Sequence, residues 1–277
     1  MSSRALLRTA LLGCLSGLFF VAACPQARGA GFDLGSLGID PTSLGSPAVV
    51  KALVGLIAFG TQHRPYEPAT PLGLVLGLDF SLEVTLFKIP DDLFNSLSAT
   101  GAPAASPLPS LPIAKLHLHK GFGDFVDLGG SIFYLPQTWV VGSDLKIVVL
   151  QGEEGPTFAA RFCYTYTSLT FNGISMSTHT YSPQFLMSRQ MEFADPYLGT
   201  ALELATGSAN ATVNVPVDTA GTTVPVALST PSVWVYGAYA FGGVSLRIPR
   251  SGLRVTLEGS YNTAGTSTMG TKIGFTF

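Results

Sequence analysis

The chain has 277 residues, only 12% of them charged, and a mean hydropathy of +0.39. A soluble chain of this size carries roughly twice that charge, and a formal net charge of −2 gives no electrostatic reason to expect nucleic acid as a partner. After residue 30 there is no run of 18 apolar residues, so spanning helices do not account for the hydrophobicity.

In chain order, the first element is a targeting segment. Arg4 and Arg8 form a basic start, Ala10 to Ala23 an apolar stretch, and Ala27-Arg28-Gly29 supply small residues at a cleavage spacing. Residues 1–29 therefore read as a signal peptide. Val21-Ala22-Ala23-Cys24 offers a second reading, the lipobox of a bacterial lipoprotein; an uncleaved anchor is a third. Removing residues 1–29 takes away Arg4, Arg8 and Arg28 and leaves 12 basic and 17 acidic residues, net −5. Cys163 is then the single thiol of the body, too few for a disulfide framework or a cysteine zinc site.

Residues 30–70 form an N-terminal segment rich in Gly, Pro and Ser. Within it, Ser46-Pro47 followed by an apolar run to Phe59 and then Gly60 predicts a helix over 47–59. Ser46 is the expected cap, Pro47 suits the first turn, and Gly60 is the expected left-handed stop. Val49, Val50, Leu53, Val54, Leu56 and Ile57 cover most of its circumference, so it needs burial. It either plugs a barrel mouth or lies against a membrane; an ordinary first strand is the plain alternative.

From residue 71 to 277 ten strand-like segments follow, near 71–87, 111–120, 124–135, 139–151, 156–167, 174–189, 196–206, 232–248, 252–263 and 267–277. Side chains alternate between faces in a strand. Leu74, Leu76, Leu78, Phe80, Leu82 and Val84 oppose Asp79, Ser81, Glu83 and Thr85, and Phe158, Phe162, Tyr164 and Tyr166 oppose Arg161 and Thr165. With an even strand count, the long connections Lys88–Ser110 and Gly207–Pro231 fall on one side. The short ones, around 121–123, 152–156, 190–195 and 249–251, fall on the other. Long outer loops and short periplasmic turns are the asymmetry of outer-membrane barrels. Thr212–Val217 and Thr222–Leu228 are either a protruding hairpin, giving ten strands, or two more spanning strands, giving twelve.

The last two strands close the pattern. Phe275 and Phe277 share a face with Ile273, and a terminal outward aromatic suits a signal read by barrel-insertion machinery. Gly265 is the expected centre of the turn Asn262–Ser267. Pairing symmetrically about it puts Tyr261 opposite Met269 on the lipid face and Glu258 opposite Lys272 in the lumen as an ion pair.

These features resemble those of uncharacterised Gram-negative outer-membrane β-barrel proteins. The likeness covers roughly residues 47–277. It is carried by His63-Arg64-Pro65-Tyr66-Glu67-Pro68-Ala69-Thr70-Pro71-Leu72-Gly73, Leu116-His117-Leu118-His119-Lys120-Gly121 and Asp195-Pro196-Tyr197-Leu198-Gly199. Glu258…Tyr261…Gly265…Lys272…Phe275-Thr276-Phe277 is its most specific part. The resemblance implies a barrel and an outer-membrane address and transfers no catalytic residue.

The inward set reads as Asp79, Glu83, Lys115, Asp127, Asp144, Lys146, Arg161, Glu203, Arg254, Glu258 and Lys272, together with His117 and His119. Signs are nearly balanced, as charges buried in a narrow lumen require. His117 and His119 share a face, as metal ligands do, but Lys115 shares it too and repels cations. Lumen lining is therefore the expectation, with no metal, cofactor or catalytic residue assigned. Aromatics near strand ends or on the outer face, namely Phe133, Tyr134, Trp139, Tyr164, Tyr166, Tyr197, Trp234, Tyr236 and Tyr239, fit interfacial girdles.

The sequence thus predicts an all-β protein: a single antiparallel transmembrane barrel with an N-terminal helical or plug-like segment, in the bacterial outer membrane. Expected partners are the lipid bilayer, lipopolysaccharide and the insertion machinery, with a small-molecule solute as a further one and no nucleic acid. The expected role is structural, or a porin-like narrow passage. The alternatives are a gated importer of a hydrophobic compound, a surface enzyme, and a soluble periplasmic ligand-binding barrel.

Overall fold

The computed structural model describes residues 44–73, 76–88, 111–152, 155–171, 173–216, 223–249 and 251–277. Residues 1–29, read above as a signal peptide, and the whole long connection 89–110 lie outside these. One helix, α1 (Pro47–Thr61), precedes β1 (Leu78–Lys88), β2 (Leu111–Phe122), β3 (Val126–Leu135), β4 (Thr138–Leu150), β5 (Thr157–Phe171) and β6 (Ile174–Ser188). Then come β7 (Ala194–Pro216), β8 (Thr223–Ser229), β9 (Val233–Arg247), β10 (Leu253–Asn262) and β11 (Ser267–Thr276).

Each strand pairs antiparallel with its neighbours, and β1 pairs with β11, as in Glu83↔Lys272. The ring therefore closes on ten strands, with β9 following β7 around the wall. Closure removes every edge, which a sheet in hydrocarbon requires. β8 stands outside the ring. It pairs only with the end of β7, through Asn210↔Ser229 to Pro216↔Thr223. At seven residues it is too short to span a bilayer. The protruding hairpin is thus the arrangement found, and twelve strands are ruled out.

The alternation is realised as expected. In β1 the burial pattern is strict, with Asp79, Ser81, Glu83 and Thr85 buried and Phe80, Leu82 and Leu86 exposed. β4 repeats it, with Asp144 and Lys146 inside and Val141, Leu145 and Ile147 outside. Apolar side chains outside and charges inside invert the order of a soluble protein, which removes the soluble-barrel alternative.

Three local expectations are corrected. First, the first strand begins at Leu78 rather than 71. Positive φ at Gly73, Leu76 and Gly77 bends the chain there, and Gly121 N donates to Gly77 O at 2.7 Å. Second, α1 runs two residues past the predicted end. Ser46 has extended dihedrals and makes no side-chain cap bond. Gly60 is helical rather than a left-handed stop: a Cβ there would lie 3.3 Å from the Phe87 ring, so this glycine allows close packing against the wall.

Third, the register of the last hairpin differs. Glu258 faces Gly270, Lys272 faces Thr256, and Tyr261 faces Ser267. Asn262 N donates to Thr266 O at 2.9 Å, closing a three-residue loop in which Gly265, with φ 79°, is the last residue and not the centre. This is the common geometry of a type I turn followed by a left-handed glycine. Glu258 and Lys272 share the lumen face but are not a cross-strand pair.

Candidate functional site: the filled lumen

The lumen is occupied by the chain's own N-terminal segment. α1 lies against one side of the wall. Val54 approaches Gly207, Gly55 approaches Val235, and Ala58 and Phe59 pack with Ala205. These wall positions carry small side chains or none, which leaves room for a helix. Thr61 Oγ1 donates to Ile57 O at 2.7 Å and also bonds Thr167 Oγ1 at 2.7 Å.

Below the helix an irregular strap, residues 62–73, runs through the charged half of the lumen. Irregular backbone at membrane depth must have its polar groups satisfied by protein, and wall side chains do this. Thr165 Oγ1 accepts from His63 N at 2.7 Å, and Lys115 Nζ donates to Gln62 O at 2.5 Å. Arg161 Nη2 donates to Glu67 O at 3.3 Å, Lys146 Nζ to Thr70 O at 2.9 Å, and Asp127 Oδ2 accepts from Leu72 N at 3.2 Å.

The strap's side chains complete the network. Glu67 Oε1 lies 2.9 Å from Lys272 Nζ, and Oε2 lies 3.7 Å from Lys146 Nζ and 3.8 Å from Arg161 Nη2. Lys272 also meets Asp79 at 3.3 Å, and Lys146 meets Asp127 at 2.7 Å. Lys115 meets Glu83 at 3.5 Å, and His117 Nε2 bonds the same carboxylate. Asp144 Oδ1 is shared by His63 Nε2 at 2.7 Å and His119 Nε2 at 3.0 Å. Arg64 donates to Ser260 Oγ at 2.5 Å and to Thr268, and stacks 5.1 Å over Tyr239.

Glycines record how close the strap lies. A Cβ on Gly142 would sit 2.6 Å from the His63 side chain, and one on Gly270 would overlap the Tyr66 ring. Tyr66 Oη bonds Thr85 Oγ1 at 2.7 Å. Around Arg64, Tyr66, Arg161, Tyr239 and Glu258 the packing leaves no room for a water molecule.

The residues singled out from sequence fall as follows. Lys115, His117, His119, Asp144, Lys146, Arg161 and Lys272 converge on the strap. Arg254 is half-buried at the end of the barrel near the chain terminus. Glu258 accepts from Tyr197 Oη at 2.7 Å, away from Lys272, and Tyr197 and Tyr239, expected in the outer girdle, are instead buried in the lumen, where their hydroxyls bond Glu258 and Gln184. Phe275 and Phe277 stack on the outer face with centroids 6.5 Å apart. Sequence reasoning missed His63, Arg64, Tyr66 and Glu67 as lumen residues. Two signals pointed to them: a polar cluster in an otherwise nearly uncharged segment, and glycines at inward positions 129, 142 and 270, where a strand glycine marks close approach.

His63, His117 and His119 place ring nitrogens within 4.8 Å of one another, as do Glu67, Asp79 and His119. The local charge closes without a metal. The carboxylates Glu67, Asp79, Glu83, Asp127 and Asp144 face Lys115, Lys146, Arg161 and Lys272. His119 makes up the difference as an imidazolium, since its Nε2 meets Asp144 and its Nδ1 lies 3.0 Å from Glu67. That second contact is ionic, at an angle too poor for a hydrogen bond.

The class defined by this geometry is a closed transmembrane β-barrel with an internal N-terminal segment. No family model matches the chain, and no curated protein matches it. Solved structures similar to it include Neisserial surface protein A, at 11% identity over 72% of this chain and 97% of that one, TM-score 0.30. Another is Ail, the attachment invasion locus protein of Yersinia pestis, at 10% identity over 71% and 94%, TM-score 0.27. A third is the toluene transporter TodX of P. putida, at 10% identity over 76% and 92%, TM-score 0.29. The architecture stands on the strand register and burial described above and not on these likenesses.

Proposed function

We propose that this chain is a bacterial outer-membrane barrel, exported by its first 29 residues and sealed at rest by residues 44–73. It serves the membrane as a structural element and passes a small solute only when that segment is displaced. One observation carries this reading: Glu67 is met inside the lumen by Lys272, Lys146, Arg161 and His119, which fastens the strap across the charged half of the lumen. Lumen carboxylates tied to lysine and arginine favour a non-enzymatic role. The bilayer and lipopolysaccharide surround the apolar belt, and Phe277 with Phe275 offers the insertion machinery its terminal aromatics. Deleting Phe277 should lower the folded, heat-modifiable fraction in outer membranes; undiminished insertion would remove Phe277 from that role.

The main test is conductance in planar bilayers. The full chain should be nearly silent, and a chain lacking residues 31–66 should conduct small ions while remaining a heat-modifiable barrel. Equal, low conductance in both would overturn the sealing role. A second reading, gated import of a hydrophobic compound, is favoured by the apolar packing of α1 against Ala205 and Val235. Uptake of an apolar dye but not of a polar one by the shortened chain would select it.

A further inference from the structure

We infer that the internal segment is itself a complete membrane crossing, so that Leu44 lies at the cell surface while Phe277 lies on the periplasmic side. The argument is the order of contacts along the chain. Val54 meets Gly207, Ala58 and Phe59 meet Ala205, and Gln62 Nε2 reaches Tyr239, which is paired with Ala201. From residue 54 to 62 the segment thus moves down β7 from 207 towards 201. It continues in the same direction. Tyr66 meets Thr85, Glu67 meets Lys272, Leu72 meets Asp127, and Gly77 meets Gly121. Leu78 then exchanges backbone hydrogen bonds with Phe277, at 3.2 and 2.8 Å. α1 has 15 residues, about 22 Å at 1.5 Å each, and the strap adds the rest of a bilayer's thickness.

Together with the ten strands, this crossing puts the two ends of the described chain at opposite mouths. Which mouth faces outward follows from the connections. At the mouth holding Leu78 and Phe277 the links between strands are short: 123–125, 151–156, 189–193 and 248–252. The other mouth also has short links, 136–137, 172–173 and 263–266, but it alone carries long ones, the link of residues 89–110 and the β7–β8 ribbon, and long loops belong to the cell surface. A mouth with short turns only belongs to the periplasm. The start of α1, with Gly45, Ser46, Pro47 and Ala48 exposed and Lys51 exposed just beyond the first turn, therefore opens to the exterior.

The test uses the full chain in living cells. Ser46→Cys and, separately, Asp124→Cys in the β2–β3 turn are treated with a membrane-impermeant maleimide of large mass. Each is compared with the parent chain, in which Cys163 is buried. Ser46→Cys should gain its mass-shifted band on intact cells as fully as after the outer membrane is permeabilised; Asp124→Cys should gain it only after permeabilisation. A Ser46→Cys band that also requires permeabilisation would overturn the inference. An epitope inserted between Gly45 and Ser46, read by antibody on heat-modifiable protein, gives the same answer if the cysteine variant is poorly made.

Discussion

The upper and lower halves of the internal segment are fastened by different physics. α1 has no charge in either end turn and buries Leu53, Val54, Ile57 and Phe59 against a wall of small residues. The strap below it buries His63, Arg64 and Glu67 among lysines, histidines and carboxylates. Apolar packing is non-directional and insensitive to pH and salt. A buried ion network is strong only while every partner is present. The same stretch of chain is thus held at one end by shape and at the other by charge.

The comparison breaks most sharply at Lys272. Lys272→Glu would set a third carboxylate beside Glu67 and Asp79, and the loss should be about 3–5 kcal/mol or more, seen as a lowered midpoint of heat modification. Adding Glu258→Lys should not restore it, because Glu258 pairs with Tyr197; recovery in the double variant would reinstate the Glu258–Lys272 pair. Glu67→Gln should cost somewhat less, since Lys272 keeps Asp79 and Lys146 keeps Asp127. In the helical half, Leu53→Ala should cost about 2–4 kcal/mol with no dependence on pH. Adjacent glycines give a finer contrast. Gly129→Ala drives a methyl into His119 and should cost about 1–3 kcal/mol, whereas Gly130→Ala, on the outer face, should be close to neutral.

Acid should separate the halves. Glu67 is met by Lys272, Lys146, Arg161 and His119 as a carboxylate, so protonating it in acid removes their attraction and loosens the strap. Hydrogen exchange in the strap should rise below about pH 4 while exchange in α1 changes little; equal loosening of both would erase the distinction.

The sequence made one of these regions legible and left the other obscure. Parity alone placed Asp144, Lys146, Arg161 and Lys272 on the inner face and Phe275 and Phe277 on the outer, because a strand offers only two faces. Parity gives a side and no distance, so it could not say that Lys272 reaches Glu67, some two hundred residues away in sequence. The last hairpin shows the limit at short range. Its faces were right and its register was two residues off, because Gly265 closes the loop rather than centring it. α1 was visible as an apolar run after Ser46-Pro47, but the strap has no period to read. Its position is set by wall side chains that bond its backbone.

The most direct test of the account is to tie α1 to the wall. A Cβ on Gly55 lies 3.4 Å from Val235 Cγ1, close to the separation a disulfide needs. Gly55→Cys with Val235→Cys should oxidise nearly completely in outer membranes, giving a reductant-sensitive mobility shift of the unfolded chain and a barrel that stays non-conducting. Free thiols at both positions in folded, heat-modifiable protein would contradict the seating of the helix inside the barrel.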